Sequence, residues 1–306
     1  MMFDSLWVEK YRPKTLGDII LSDDNLSIIE KYQSENEIPN LLFAGCQGVG
    51  KTTLAKILVN DVLECQYLYI NASDENGIDT IRSKVTQFAQ TRSLDGKIKV
   101  IILDECDGLS QDAQRALRNT MEEYAEITRF ILTANYSHRI IPALQSRCQS
   151  LDLTPPLAGC KKRINIILES EGVSVDKKQD EQITQFIKNT YPDLRKVINE
   201  LQKFCKDKTL TIKDNTNCDT FAKNIITLID KGAVLKLRKH IIENEDKFNG
   251  DYPALLRSMF DALDEVKMPE EKKKMRLVII AEALYRSAFV ADQEINCYSC
   301  LIQLSS

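Results

Sequence analysis

Eight residues, Gly45-Cys46-Gln47-Gly48-Val49-Gly50-Lys51-Thr52, carry the most chemically specific spacing in the chain, G-x-x-x-x-G-K-T. Glycines at these positions let backbone N–H groups converge on phosphate oxygens. The lysine reaches the outer phosphates, and the threonine hydroxyl can ligate Mg²⁺. The loop follows the apolar run Leu41-Leu42-Phe43-Ala44 and opens into Thr53-Leu54-Ala55-Lys56-Ile57-Leu58, which has helical spacing. Strand, glycine loop and helix N-terminus together point to a nucleoside triphosphate.

A second constellation, Asp104-Glu105-Cys106-Asp107, closes the apolar run Val100-Ile101-Ile102-Leu103. Asp104 is placed to hold Mg²⁺, directly or through water. Glu105 is placed to polarise an attacking water as general base. Asp107 can instead cap the following helix. Phe130-Ile131-Leu132-Thr133 ends in Ala134-Asn135. Asn135 could touch a γ-phosphate or cap a loop, and the residues alone leave both open. Arg147, inside Ser146-Arg147-Cys148, reads either as a surface ion-pair partner or as a guanidinium offered to a neighbour's site. Arg195, next to Leu194, reads by itself as part of a solvated basic helix face.

These side chains need a scaffold. Strands are expected at Leu41–Ala44, Tyr67–Ile70, Val100–Leu103, Phe130–Thr133 and Leu151–Leu153. The continuous apolar runs among them suit a parallel sheet buried on both faces, with ligands at the C-terminal strand ends. A helix is expected over 25–36. Asp79 is expected to cap the helix of Ile81, Val85, Phe88 and Ala89. Pro155-Pro156 marks a boundary. Beyond it the chain reads helical: Lys161–Leu168, Asp180–Lys188 and Pro192–Phe204, with Pro192 near the first turn. Residues 206–219 read as a polar linker. Further helices are expected at Phe221–Ile229, Leu235–Ile242, Tyr252–Leu263 and Lys272–Ala288, then a final short one. The expected division is 1–154, 155–219 and 220–306. Near the start, Trp7-Val8-Glu9-Lys10-Tyr11-Arg12-Pro13 either anchors an arm or brings apolar side chains over a base.

The chain has 306 residues, 43% hydrophobic and 28% charged, with a net charge of −4. Bulk charge therefore does not announce nucleic acid, and any such contact must use a local basic surface. The cysteines are scattered, the start lacks a secretory pattern, and no apolar run is long enough to span a bilayer. A reduced, intracellular, soluble protein is expected. Cys297-x-x-Cys300 has only His138 and His240 as further candidate imidazole ligands in the chain. It reads as two small apolar helix residues, not as a zinc site. No N-K-x-D motif is present, which favours ATP over GTP.

Six motifs come in a characteristic order: Trp7–Pro13, Gly45–Thr53, Asp104–Asp107, Leu132–Asn135, Ser146–Cys148 and Pro192–Arg195. In this order the chain resembles AAA+ clamp-loader ATPase subunits. It is similar to the small subunits of replication factor C and, in length and in its brief C-terminal region, to the phage clamp-loader large subunit. The resemblance implies an AAA+ α/β domain (RecA-like) with a parallel five-stranded sheet at 1–154, a helical lid at 155–219 and a helical collar at 220–306. It implies ATP with Mg²⁺ on Thr52 and Asp104, and a DNA-stimulated ATPase that loads a sliding clamp on primer–template DNA.

The same resemblance assigns roles. Val8, Glu9, Lys10, Tyr11 and Ile20 would line the adenine pocket. Gly48, Val49, Gly50, Lys51, Thr52 and Thr53 would bind the phosphates. Asn135 and Arg195 would be the two sensors, and Arg147 would act on the next subunit's ATP. Ile78, Asp79 and Arg82, then Ser110, Gln111 and Arg115, would track duplex DNA in the central chamber. The outer surface near Gln114–Tyr124 would face the clamp. The collar would join copies of the chain and at least one further subunit in a five-membered ring. The location would be the cytoplasm, the host's if phage-encoded, or the nucleus in a eukaryote.

Two departures stand out. Cys106 replaces the alanine of many relatives, a tolerable exchange for a small hydrophobe. The Asn76-Gly77 turn lacks the basic residue some relatives carry. The absence of a zinc module from the ATPase region argues against the bacterial chromosomal type. The main alternative is another AAA+ DNA motor, for branch migration or helicase loading. The few basic residues near the C-terminus disfavour it. A nucleotide-binding assembly subunit without turnover is disfavoured by intact Lys51, Asp104 and Glu105.

Overall fold

The structure, a computed structural model, describes residues 6–74, 77–93, 96–206, 209–211, 216–230, 234–245, 248, 250–266, 268–287 and 289–305. Asn76, of the turn singled out above, lies outside them. The chain divides into two compact units, Met1–Ile212 and Lys213–Ser306.

Five parallel strands form the centre of the first unit: β1 (Leu41–Ala44), β2 (Tyr67–Asn71), β3 (Lys99–Asp104), β4 (Thr128–Ala134) and β5 (Gln149–Asp152). Their order is β2-β3-β4-β1-β5. Alternate residues leave opposite faces. Leu42, Ile101, Leu103, Phe130 and Leu132 enter one core cluster. Leu41, Phe43, Val100, Ile102 and Ile131 enter the other. Both faces are covered, so these strands read as unbroken apolar runs. Register then fixes the site. Ala44 lies opposite Ala134 and Leu103 opposite Leu132, so Gly45 and Asp104 emerge beside Asn135 and Thr133.

The helices of the nucleotide-binding part are α1 (Trp7–Lys10), α2 (Asp23–Glu35), α3 (Lys51–Ile57), α4 (Ile78–Thr80), α5 (Thr86–Gln90), α6 (Gln111–Glu123) and α7 (Pro142–Gln145). Ser22 and Ser110 cap α2 and α6, each hydroxyl accepting a backbone N–H at 3.3 Å. Asp79 does not take the capping position expected of it. Gly77 precedes the first turn of α4, and Asp79 lies inside that turn.

The lid comprises α8 (Leu157–Ser170), α9 (Lys177–Thr190) and α10 (Leu194–Phe204). Asp193 caps α10, its Oδ1 accepting the Lys196 N–H at 2.9 Å. Pro192 therefore stands outside the helix, one residue before the cap, and not in its first turn. The expected linker also starts with structure: β6 (Cys205–Lys206) pairs antiparallel with β7 (Thr209–Leu210), and Leu210 is buried.

The N-terminal arm belongs to the lid core. Trp7 packs with Cys160, Ile164, Ile183 and Val197. Its backbone N–H donates to Gln202 Oε1 at 3.0 Å. Glu171 accepts from Lys10 Nζ at 2.7 Å and from the Tyr11 hydroxyl at 2.5 Å. Gly159 of α8 makes room for the arm, since a β-carbon there would stand 2.6 Å from Ile20 Cγ2.

The second unit holds α11 (Thr216–Asp230), α12 (Val234–Ile242), α13 (Tyr252–Ala262), α14 (Glu270–Ser287) and α15 (Gln293–Ser305). They bury Phe221, Ile225, Leu255, Met259, Ile280 and Leu301 together. The last helix, expected to be short, runs 13 residues. Cys297 and Cys300 lie in this core, and burial pushes both thiols up to about 12. Among the described residues no helix is long and apolar enough to cross a membrane.

Candidate active site

The phosphate loop leaves β1 and turns into α3 through left-handed backbone. Gly48 has φ +77° and Gly50, at the helix cap, φ +97°. Such angles strain any residue with a β-carbon. Lys51 folds back across the loop. Its Nζ donates to the carbonyls of Gly45 (2.8 Å) and Cys46 (2.7 Å) and to Asn135 Oδ1 (2.7 Å). Burial holds the ammonium below the ordinary lysine range, against the opposing pull of Asp104 and Asp107. Asn135 thus touches the phosphate-binding lysine and does not merely cap a loop. The backbone N–H groups of Asn135 and Tyr136 are taken by Asp107, at 3.3 and 3.2 Å. Asp107 therefore supports the end of β4, whereas Ser110 does the helix capping.

Asp104 is buried at the end of β3. Its Oδ1 lies 2.7 Å from Thr52 Oγ1 and 2.6 Å from Thr133 Oγ1. Its Oδ2 lies 2.9 Å from Thr52 Oγ1 and accepts from the Tyr69 hydroxyl at 2.8 Å. Glu105 adopts φ +55°, and its N–H donates to Thr133 Oγ1 at 3.0 Å. This left-handed residue breaks the strand and leaves the Glu105 side chain exposed. A hydroxyl and a carboxylate in contact are hard oxygen donors of the kind Mg²⁺ takes. With the glycine loop and Lys51 beside them, the residues present fit a metal-bound nucleoside triphosphate.

An open cleft lies between arm, loop and lid. Of the residues expected around the nucleotide, Val8, Tyr11, Ile20, Gly48, Val49, Gly50, Thr53 and Arg195 line it. Glu9 and Lys10 do not. Lys10 pairs with Glu171 at 2.7 Å, whereas Glu9 pairs at 2.7 Å with Arg12, which itself lines the cleft. Neighbours on a helical turn cannot all face one way.

Arg147 is not among the cleft-lining residues. It is exposed, pairs with Glu122 of α6 and donates to the Ala143 carbonyl at 2.8 Å. Among the residues expected on DNA, Arg82, Ser110, Gln111 and Arg115 are exposed, but Ile78 packs partly against the sheet core. Ser110 uses its hydroxyl as the cap of α6, and Arg115 pairs with Asp112 at 2.9 Å. Gln114 was expected on an outer surface and is instead buried. Its Nε2 donates to the carbonyls of Leu109 and Arg139, both at 3.2 Å, and its Oε1 accepts the Ile141 N–H at 2.8 Å. An α6 residue next to Ala113 and one turn before Leu117 borders the apolar stripe, and the amide is tolerated because it is fully bonded.

Three participants escape sequence reasoning. Thr133 is buried and serves both Asp104 and Glu105. A polar residue in a strand buried on both faces was the available signal. Tyr69 reaches Asp104 from the edge strand β2. Asp193 stands against Gly48 across a large sequence separation. Neither of these two has a local signature.

Residues 41–155 match the ATPase family associated with various cellular activities (AAA). The replication factor C small subunit of Sulfurisphaera tokodaii is 35% identical over 314 aligned residues, covering 98% of this chain and 95% of that one. The chain belongs to the replication factor C small-subunit family. The Thermofilum pendens member is 33% identical over 319 aligned residues, covering 99% and 97%. Identity to the Methanosphaera stadtmanae member reaches 40% over 201 residues, but there the match spans 62% of the relative's length. As a member of this family the chain is an ATP-hydrolysing AAA protein. Its fold is also that of the Thermotoga maritima RuvB Holliday junction branch migration motor, with a TM-score of 0.53, covering 95% of this chain and 90% of that one. At 19% identity that likeness concerns the fold alone.

Proposed function

We propose that this chain is an ATPase subunit of a sliding-clamp loader, using ATP to open a ring-shaped clamp and place it on primer–template DNA. The observation that carries the reading is the meeting of Lys51, Thr52, Asp104 and Asn135 at the strand ends, beneath a lid whose Asp193 and Arg195 abut the loop. Thr52 and Asp104 would hold Mg²⁺, which neutralises charge on the phosphates when bound. Lys51 orients the outer phosphates, and Asn135 fixes Lys51. Glu105, exposed beside them, takes the proton of the attacking water. On this reading the chain divides into an ATPase domain at 1–154, a lid at 155–219 and a collar at 220–306, although the compact units part earlier, after Ile212, and α11 begins at Thr216.

Arg147 has no counterpart role in its own cleft. It is assigned to the ATP of a neighbouring subunit, in a five-membered ring of this chain and at least one further subunit. Arg82, Gln111 and Arg115 are exposed near adjacent helix starts and suit phosphate contacts that need no net positive protein. Work on replicating DNA places the protein in the cytoplasm, or in the nucleus of a eukaryotic cell.

The test is ATP turnover by the assembled complex with and without clamp and primed DNA. Stimulation by both together is expected. Equal turnover in all conditions, or stimulation by a four-way junction in place of primed DNA, would contradict the reading.

A further inference from the structure

Tyr69 is chemically conspicuous because nothing in the apolar core holds it. It lies on β2, the edge strand of the sheet, and its side chain is about a third exposed, at 38%. Its ring belongs to neither core cluster of the sheet. The ring is covered by Lys56 of α3, whose Nζ stands 4.5 Å from its centroid. The fixed point of the side chain is its hydroxyl, which donates to Asp104 Oδ2 at 2.8 Å.

A count of donors around Asp104 gives this contact meaning. Three hydroxyls surround the carboxylate: Thr52, Thr133 and Tyr69. Thr133 accepts the Glu105 N–H, so its own proton goes to Asp104 Oδ1. Thr52 Oγ1 lies within 2.9 Å of both carboxylate oxygens but has one proton to give. Thr52 is also the residue assigned to Mg²⁺. Ligation through an oxygen lone pair leaves that proton in place, shared between the two carboxylate oxygens, so the hydroxyls committed to one oxygen each are Thr133 on Oδ1 and Tyr69 on Oδ2. A carboxylate held on one oxygen alone can rotate. Held on both, it presents a fixed plane.

We propose that Tyr69 is a positioning residue for the magnesium site, its hydroxyl fixing the orientation of the Asp104 carboxylate from the neighbouring strand. The inference rests on the reading that Thr52 and Asp104 hold Mg²⁺. Partners of metal ligands commonly contribute tenfold or more to metal affinity, so removing this hydroxyl should raise the half-saturating Mg²⁺ concentration roughly tenfold.

The measurement is binding of a fluorescent ATP analogue to full-length protein, titrated with MgCl₂ and repeated in EDTA. Tyr69→Phe keeps the ring and its contact with Lys56 and removes the hydroxyl. The expected result is a Mg²⁺ midpoint raised about tenfold, with unchanged affinity in EDTA and an unchanged melting temperature of the nucleotide-free protein. Tyr67→Phe, on the same strand face, is the matched control and should behave as wild type. Coincident Mg²⁺ midpoints for Tyr69→Phe and wild type would overturn the inference and leave the magnesium reading standing. An equal loss of affinity in EDTA would overturn it in favour of a general packing role. Wild-type binding that ignores Mg²⁺ would overturn the magnesium reading, and this inference with it.

Discussion

The Asp193 carboxylate lies so close to Gly48 that a β-carbon at position 48 would stand 1.9 Å from its Oδ1. Asp193 caps a lid helix and Gly48 belongs to the phosphate loop, so the contact is where the lid meets the nucleotide site. It also explains why glycine is needed at 48 on two grounds, close approach and left-handed backbone.

Gly48→Ala should therefore displace the lid edge and strain the loop. Strain of this kind costs of order 1–3 kcal/mol, so a loss of roughly 5- to 150-fold in nucleotide affinity is expected. Gly96, in the loop before β3, is the control outside the site. It has φ +73° but nothing within 4 Å of an added β-carbon. Gly96→Ala should leave nucleotide affinity unchanged in equilibrium binding, whereas Gly48→Ala should not.

Glu105→Gln preserves size and the backbone N–H bond to Thr133 but cannot accept a proton. ATP binding should persist. Turnover in the assembled complex should fall by about 10²–10⁴. Single-turnover kinetics distinguish this from a binding defect, and unchanged turnover would remove Glu105 from the role of base.

Thr133→Val is isosteric but strips Asp104 of a donor and leaves the Glu105 N–H without its partner. Leaving a buried donor unsatisfied costs about 1–3 kcal/mol. A drop of that size in denaturant unfolding is expected, accompanied by weaker nucleotide binding. A variant as stable as wild type would mean that the acidic segment does not depend on this hydroxyl.

The attachment of the N-terminal arm should depend on acid. Hydrogen bonds from Lys10 and Tyr11 hold the Glu171 carboxyl below its ordinary value of 4.5. The folded state thus favours the ionised form. The stabilisation is complete above about pH 4.5 and is lost as pH falls below it through the folded value. The single tryptophan of the chain, Trp7, lies buried in this arm and reports the change. Its emission should move to longer wavelength on acidification. Glu171→Gln should already show part of that shift at neutral pH. Identical pH profiles for the two proteins would refute the role of Glu171.

What the sequence made legible follows from local physics. The strands of the sheet could be read because both faces are buried, so that Val100–Leu103 and Phe130–Thr133 contain no alternation to confuse. Lys51, Thr52 and Asp104 could be read because loop geometry and strand ends bring such residues together in every fold of this type. The contacts that finish the site were not legible. Asp193 reaches Gly48 from 145 positions away in the chain, and Tyr69 reaches Asp104 sideways across a strand pair. Glu9 and Lys10 were assigned with Tyr11 as a block, but a helical turn points neighbours in different directions. Gln114 opened the stretch that the resemblance placed near the clamp, whereas its amide closes three backbone groups inside the fold.

The central claim is that one protomer grips each ATP while the next supplies Arg147. Subunit mixing tests it directly. Arg147→Ala and Glu105→Gln proteins are prepared separately; alone, the first should lose roughly 10³-fold or more of DNA- and clamp-stimulated turnover and the second about 10²–10⁴. When the two are assembled together, an Arg147→Ala protomer with an intact Glu105 can receive the guanidinium of a Glu105→Gln neighbour. Turnover should reappear in the mixture, well above the sum of the two separate proteins. A mixture no more active than its parts, or an Arg147→Ala ring that keeps full stimulated turnover, would contradict the sharing of the site.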